Sequence, residues 1–281
     1  MGIMPFENRI SRYTHFSDLD WNRHVTSRAY ERFCYDGRFS LLESLGYPIH
    51  SCLEKGIKFV SLDTNVRFQS QQFQNAKLEI HTIGSQGTDR TIYFDQVIYD
   101  QNEKKVCSIT ASAYLIDAEG NRLLLEGIPT QESSPFTRIG KRLPEQNTLK
   151  HKMHIPFSDM SCFWNLPSES VWKIFEEGRF LFFKEIIDLN FIHETDSTTF
   201  FMGGDIQIHT LPEPGSEILL LSWIECIEKI RFYFRQDILT ESGETIASMR
   251  DEQLFVQLST SRPRKAPKEF VELVEPFLEK R

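Results

Sequence analysis

The chain has 281 residues, 40% hydrophobic and 26% charged, and its 32 Lys and Arg against 40 Asp and Glu give a formal net charge of -8. That length suits two domains of about 150 residues each, with the composition of a folded chain rather than a disordered or collagen-like one. The acidic balance argues against a nucleic-acid partner, and the longest apolar runs, such as 218–221 and 180–183, fall far short of the roughly 18 residues a membrane span needs. Residues 1–10 hold Glu7, Asn8 and Arg9 with no apolar stretch behind them, so no secretory leader is expected and the protein is expected to stay in the cytoplasm. The five cysteines include no CxxC pair, which points to buried or incidental thiols rather than a disulfide framework or a zinc site.

In chain order, the first feature is Phe16-Ser17-Asp18, which returns as Phe157-Ser158-Asp159 at an offset of 141. At the same offset Ser27 meets Ser168 and Gly37-Arg38-Phe39 meets Gly178-Arg179-Phe180, so 7 of the 24 positions from 16 to 39 are identical. Composition alone would give roughly one or two, and an internal repeat is therefore expected. With one deletion the register continues at 140, pairing Asn65-Val66 with Asp205-Ile206 and Tyr93-Phe94 with Tyr233-Phe234.

After each triplet the apolar residues take helical spacing: Tyr30, Phe33, Cys34, Gly37, Leu41 and Leu45, then Val171, Ile174, Phe175, Gly178, Phe182 and Ile186. Helices over 27–45 and 168–187 are expected, the first capped by Thr26 or Ser27 and the second opened by Pro167-Ser168-Glu169. A glycine recurring on both apolar stripes implies a helix backbone pressed against a flat surface such as a sheet. Alternating strands follow near 77–82, 91–99 and 106–116, and again near 198–210, 217–228, 230–239 and 245–258. Each half thus reads as one strand, one long helix and several antiparallel strands, an α+β fold with a sheet wrapped around a helix. The expected domains are 1–140 and 148–281, joined by a polar, Pro-rich linker within 127–150.

The chemistry concentrates just before the first helix, in Asp18-Leu19-Asp20-Trp21-Asn22-Arg23-His24-Val25. Asp20, Asn22 and His24 lie at i, i+2 and i+4 on a loop running into a helix N-terminus. Such a loop can hold a general base beside backbone N–H groups that polarise a carbonyl; turn and capping roles for the same residues are the plainer reading. This segment, with Tyr30 and Asp36-Gly37-Arg38 after it, resembles the DLDxNxHV signature of hotdog-fold thioesterases, the 4-hydroxybenzoyl-CoA thioesterase superfamily that includes plant acyl-carrier-protein thioesterases. Tyr114-Leu115-Ile116-Asp117 with Glu119-Gly120 resembles the last strand of that family.

The resemblance implies a tandem double hotdog that hydrolyses an acyl-CoA or acyl-carrier-protein thioester without metal or cofactor. It assigns the base or nucleophile to Asp20 and supporting roles to Asn22 and His24; Val25 and Thr26 are expected to bind substrate, with the helix amides after Val25 stabilising the oxyanion. Thr26-Ser27 stands where the family often has two Asn, and the plant enzymes carry the motif in their second repeat rather than their first. A further carboxylate of the plant branch falls near Gln71 or Gln72, with Asp63 the nearest acidic alternative. In the second half Ser161, Phe163 and Asn165 replace Asp20, Asn22 and His24, so one site per chain is expected, with Phe163 and Trp164 lining an acyl channel or belonging to the core. Because hotdog units pair, the fused pair is also compatible with further self-association.

Two other functions are open. A hydratase or dehydratase of enoyl thioesters on this fold resembles a DxNPxH motif, whereas here His24 follows Asp20 by four residues and no Pro follows Asn22. A non-catalytic acyl-thioester binding protein is the alternative from another class. His151 and His154 lack a third metal ligand nearby, Gly203-Gly204 suits a strand bulge or close backbone contact, and the basic clusters Lys141-Arg142 and Arg262-Pro263-Arg264-Lys265 suit substrate phosphates or an acidic carrier protein, or more plainly solvent.

Overall fold

The computed structural model describes residues 6–280 except Trp21, Asn22, Pro144, Asp188 and Leu211. The chain divides into two compact units, residues 1–137 with 160–172, and residues 138–159 with 173–281.

In the first unit, β1 (Glu7–Tyr13) is followed by α1 (Ser27–Ser44), the short α2 (Ile49–Glu54), β2 (Lys58–Phe68), β3 (Lys77–Gly87), β4 (Ile92–Asp100) and β5 (Lys105–Ile116). The strands pair antiparallel in the order β1-β3-β4-β5-β2, with the two-residue β6 (Thr130–Gln131) added parallel to the end of β3. The second unit contains β7 (Leu149–His154), most of α3 (Ser168–Ile186), α4 (Leu189–Glu194), β8 (Ser197–Ile208), β9 (Glu217–Ile227), β10 (Arg231–Thr240), β11 (Thr245–Gln257) and α5 (Lys268–Val274). Its order is β7-β9-β10-β11-β8, again antiparallel. The two long helices and the strands β4, β5 and β8 to β11 fall within two residues of the positions that periodicity gave, whereas β3 runs five residues past the expected 82 and β2 was not foreseen. The short elements α2, α4, α5 and β6 are too brief to register as a period.

The glycine argument holds in detail. A Cβ on Gly37 would stand 2.5 Å from Thr82 Oγ1 and 3.0 Å from Gln96 Nε2. Thr82 and Gln96 are register partners on β3 and β4, and Gln96 Nε2 donates to the Cys34 carbonyl at 2.8 Å and to Thr82 Oγ1 at 2.9 Å. One buried amide therefore fastens the α1 backbone to the sheet, and any side chain at 37 would occupy its place. In the second unit Ser222 and Gln236 are register partners, and the Gln236 amide donates to the Phe175 carbonyl at 3.0 Å and accepts from Ser222 Oγ at 3.2 Å. A Cβ on Gly178 would collide with Leu220 Cδ2 and with the Gln236 side-chain amide. The same fastening recurs at the same offset.

Two expectations are corrected. Residues 160–172, assigned from the sequence to the second domain, belong to the first unit, because Phe163 is buried in that unit's core, stacked on Phe39 at 5.8 Å, and Asn165 Nδ2 donates to the Phe59 carbonyl at 2.6 Å. The segment 127–150 is more than a linker. It supplies β6, and its Gly140 carbonyl accepts from Arg235 Nη2 at 2.6 Å while Gln207 Oε1 accepts from the Ile139 N–H at 3.0 Å.

The first unit's core gathers Leu41, Leu42, Phe59, Phe94, Leu115 and Phe163. Beside it lies a buried polar cluster: Arg38 donates to both oxygens of Glu31, at 2.7 and 3.1 Å, and to Gln96 Oε1 at 2.7 Å, and Ser168 Oγ closes on Glu31. Among the described residues no helix is long and apolar enough to cross a membrane.

Candidate active site

The loop ahead of α1 is a closed turn. Asp20 and His24 bridge backbone to backbone, with the Asp20 N–H donating to the His24 carbonyl at 2.8 Å, and the Arg23 N–H donating to the Asp20 carbonyl at 2.9 Å. Closing a turn in so few residues forces Arg23 to φ 68°, a left-handed conformation uncommon outside glycine. The Asp20 side chain is exposed, and its Oδ1 accepts the His24 N–H at 3.0 Å. One oxygen of this carboxylate therefore helps hold the turn. The His24 ring, partly buried, lies edge-on to Phe73 with centroids 5.4 Å apart.

Both ends of the turn are anchored. The Val25 N–H donates to the Gln72 carbonyl and the Thr26 N–H to the Asp18 carbonyl, each at 2.9 Å. Thr26 is the N-cap, its Oγ1 accepting the Ala29 N–H at 3.3 Å. Of the sequence-predicted set, the structure thus brings Asp20, His24, Val25 and Thr26 together at the N-terminus of α1, while Asn22 lies outside the described residues. The amides of Val25 and Thr26 are spent on the loop itself, so the expected oxyanion role does not fall to those two N–H groups.

Gln72 touches the loop through its backbone. Asp63 lies five residues before the end of β2, at the register shift between Ser61 and Thr64. Phe163 is 4% exposed, and Trp164 is 61% exposed with φ 58°. Trp164 occupies the place of Arg23 in a turn of the same form, in which the Ser161 N–H donates to the Asn165 carbonyl at 2.8 Å and the Trp164 N–H to the Ser161 carbonyl at 3.0 Å. The backbone device is kept in the second motif without the carboxylate: Ser161 Oγ donates to Asn165 Oδ1 at 2.6 Å.

Sequence reasoning passed over Asp18 and Arg32. Asp18 is 1% exposed, its Oδ2 accepts the His15 N–H at 2.7 Å, and its Oδ1 pairs with the Arg32 guanidinium. Asp18 stood in the repeated FSD triplet and opened the signature segment, but neither gave it a role or a partner. Among the described residues no cluster of His, Cys, Asp or Glu could hold a metal ion. Arg264 proves structural, its Nη1 donating to the Thr195 and Asp196 carbonyls at 2.6 and 2.9 Å. His151 pairs with Glu185 at 2.6 Å, and Gly203 flanks a register shift between β8 and β11, as its strand context suggested.

Residues 14–143 match the family model described as the thioesterase-like superfamily. No curated protein sequence matches the chain. Among solved structures, a protein described as an oleoyl thioesterase from Lactobacillus plantarum superposes with TM-score 0.73 at 11% identity, covering 94% of this chain and 98% of that one. The 12:0-ACP thioesterase from Umbellularia californica gives TM-score 0.70 at 10% identity over 92% of this chain and 95% of that one. An acyl-ACP thioesterase from Bacteroides thetaiotaomicron gives 0.68 at 12% identity over 91% and 100%. These likenesses extend over nearly the whole chain and establish the fold. Over residues 14–143 the chain is similar to the thioesterase-like superfamily, and along nearly its whole length it has the fold of these solved thioesterases.

Proposed function

We propose that the protein hydrolyses an acyl thioester, of coenzyme A or of an acyl carrier protein, at a single site built on Asp20. Its two units are read as two hotdogs, each with one long helix, of which only the first retains the chemistry. The observation that carries this reading is the contrast between two turns of the same form. In the first, an exposed carboxylate stands just ahead of a helix N-terminus and accepts a loop N–H; in the second, the corresponding Ser161 is tied to Asn165. A turn kept in both places and a carboxylate kept in one separates the fold's requirement from the reaction's.

In this mechanism Asp20 takes a proton from water, and the resulting hydroxide attacks the thioester carbonyl carbon. The positive end of the α1 dipole favours the developing oxyanion. Collapse of the tetrahedral intermediate breaks the C–S bond, and the proton held by Asp20 passes to the departing thiolate, leaving acid and thiol. His24, ring-on-edge to Phe73, orients the thioester beside the turn, and Asn22 is assigned to the same task. Phe163, exchanging its stack on Phe39 for contact with substrate, is assigned to the wall that the acyl chain meets. The solved relatives named for acyl-carrier-protein or oleoyl thioesters support a long-chain acyl group on a phosphopantetheine thiol as the substrate class.

The test is thiol release from a panel of saturated and enoyl-CoA thioesters and acyl-carrier-protein thioesters, with the enoyl absorbance followed in parallel. Thiol release that disappears in Asp20→Asn supports the proposal. Loss of enoyl absorbance without thiol release, or saturable binding with neither signal, would replace it with hydration or with simple binding.

A further inference from the structure

We propose that Asp18 and Arg32 are positioning residues: their ion pair is a brace that sets the Asp20 turn against the second turn of α1, and catalysis depends on it. The inference rests on the proposed role of Asp20 and goes beyond it.

Asp20 is exposed, and its Oδ1 accepts the turn's own His24 N–H. Its position follows from where the turn's two ends are tied. Asp18 ties the front end three ways: Oδ2 accepts the His15 N–H at 2.7 Å, Oδ1 meets Arg32, and its carbonyl accepts the Thr26 N–H at 2.9 Å. The Asp18 side chain has no exposed surface, whereas that of Arg32 is 40% exposed, so the guanidinium reaches in from the rim to a carboxylate that water does not solvate. Removing that partner leaves a buried charge without its counterion, and the cheapest relief is for the loop to move outward until water reaches Asp18.

The second unit carries the same brace at the same offset, with Lys173 Nζ donating to both Asp159 oxygens at 2.8 and 2.9 Å. The corresponding turn, residues 161–165 of the first unit, carries Ser161 and no carboxylate, so the ion pair recurs where the sequence keeps no base to hold. Asp159 lies nearer the surface than Asp18, its side chain 11% exposed. Where the turn carries the carboxylate, the braced Asp is fully buried and its partner is the planar, multiply donating Arg.

Arg32→Gln tests the proposal, with Arg32→Lys as the conservative rescue. Expected is a fall in kcat of about tenfold or more with KM within about twofold, and recovery to within about threefold of wild type in Arg32→Lys. Amide hydrogen exchange should quicken in the peptide covering 18–26 and stay unchanged over β3 to β5. Should Arg32→Gln fail to fold, Asp18→Asn with Arg32→Gln removes both charges, leaves no buried carboxylate unpaired, and is expected to show the same loss of kcat. Wild-type kcat in either variant, or a lowered melting temperature with kcat unchanged, overturns the brace as a positioning device. If the wild-type protein releases no thiol at all, the proposed reaction fails, and the exchange measurement alone decides the brace: unchanged exchange over 18–26 overturns it.

Discussion

The His24 N–H donates to the Asp20 carboxylate at 3.0 Å, so the group proposed to accept a proton from water is also the group that closes its own loop. The two roles separate by substitution. Asparagine keeps a carbonyl oxygen where Oδ1 accepts from His24 but carries no charge and cannot serve as a base. Asp20→Asn is expected to fold with a melting temperature close to wild type while thiol release falls about 100-fold or more. Asp20→Ala is expected to lose the loop bond as well, at a cost of about 0.5–1.5 kcal/mol. Parallel thiol-release assays and urea denaturation check both; an active Asp20→Asn would remove the carboxylate from the mechanism.

What the sequence made legible follows from which interactions are local. The helices and strands were readable because each buries one face with a regular period, and Gly37 and Gly178 betrayed close contact with a sheet because only a crowded backbone forbids a Cβ. The turn at Asp20 was readable as a motif. Its anchoring was not, because Asp18, Arg32 and Gln72 meet through tertiary contacts that no spacing encodes. The placement of 160–172 in the first unit escaped for the same reason: Asn165 reaches a backbone carbonyl 106 residues away, and backbone acceptors leave no mark in sequence.

Arg38 and Glu31 are 2% and 1% exposed, and they hold Ser168 and Gln96 as well as each other. Breaking one member of such a pair leaves the other buried and unpaired. Arg38→Met is therefore expected to destabilise the first unit by about 3–5 kcal/mol. The double variant Glu31→Leu with Arg38→Met should recover part of that loss, since no isolated charge remains. Denaturant midpoints for the single and double variants measure the difference; equal losses would mean that the pair's charges are not what the site depends on.

Arg23 is exposed and sits at φ 68°, where a side chain costs roughly 1–2 kcal/mol that glycine does not. Glycine gives back about 0.4–1 kcal/mol through the greater freedom of its unfolded chain. Arg23→Gly is accordingly expected to leave stability unchanged or raised by up to about 1 kcal/mol, an unusual result for a glycine substitution beside a helix. Trp164→Gly, at φ 58°, should gain less because the indole makes contacts that glycine loses. A clear loss of stability in Arg23→Gly, read from thermal unfolding, would show that the turn tolerates its left-handed residue without strain.

Asp237 lies on β10, 6% exposed, with Oδ1 lacking a hydrogen-bond partner. Burial raises its pKa above the ordinary carboxylate range, against the lowering effects of the Ser248 hydroxyl and of the charges of Arg235, Arg142 and His209. A carboxyl whose folded-state pKa is raised binds its proton more tightly in the native than in the unfolded chain. Its contribution to stability is therefore present at acid pH and is lost as pH rises through the folded-state pKa. Asparagine imitates the uncharged form at every pH. Asp237→Asn should thus be more stable than wild type at about pH 8, with the advantage shrinking toward about pH 4, where the wild-type carboxyl regains its proton. Urea denaturation of the two proteins across that range isolates this group, because every other titrating side chain is common to both and cancels in the difference. An advantage independent of pH, or a less stable Asp237→Asn at about pH 8, would mean that the Arg235 and Arg142 charges outweigh the burial of Asp237 and keep it ionised in the native state.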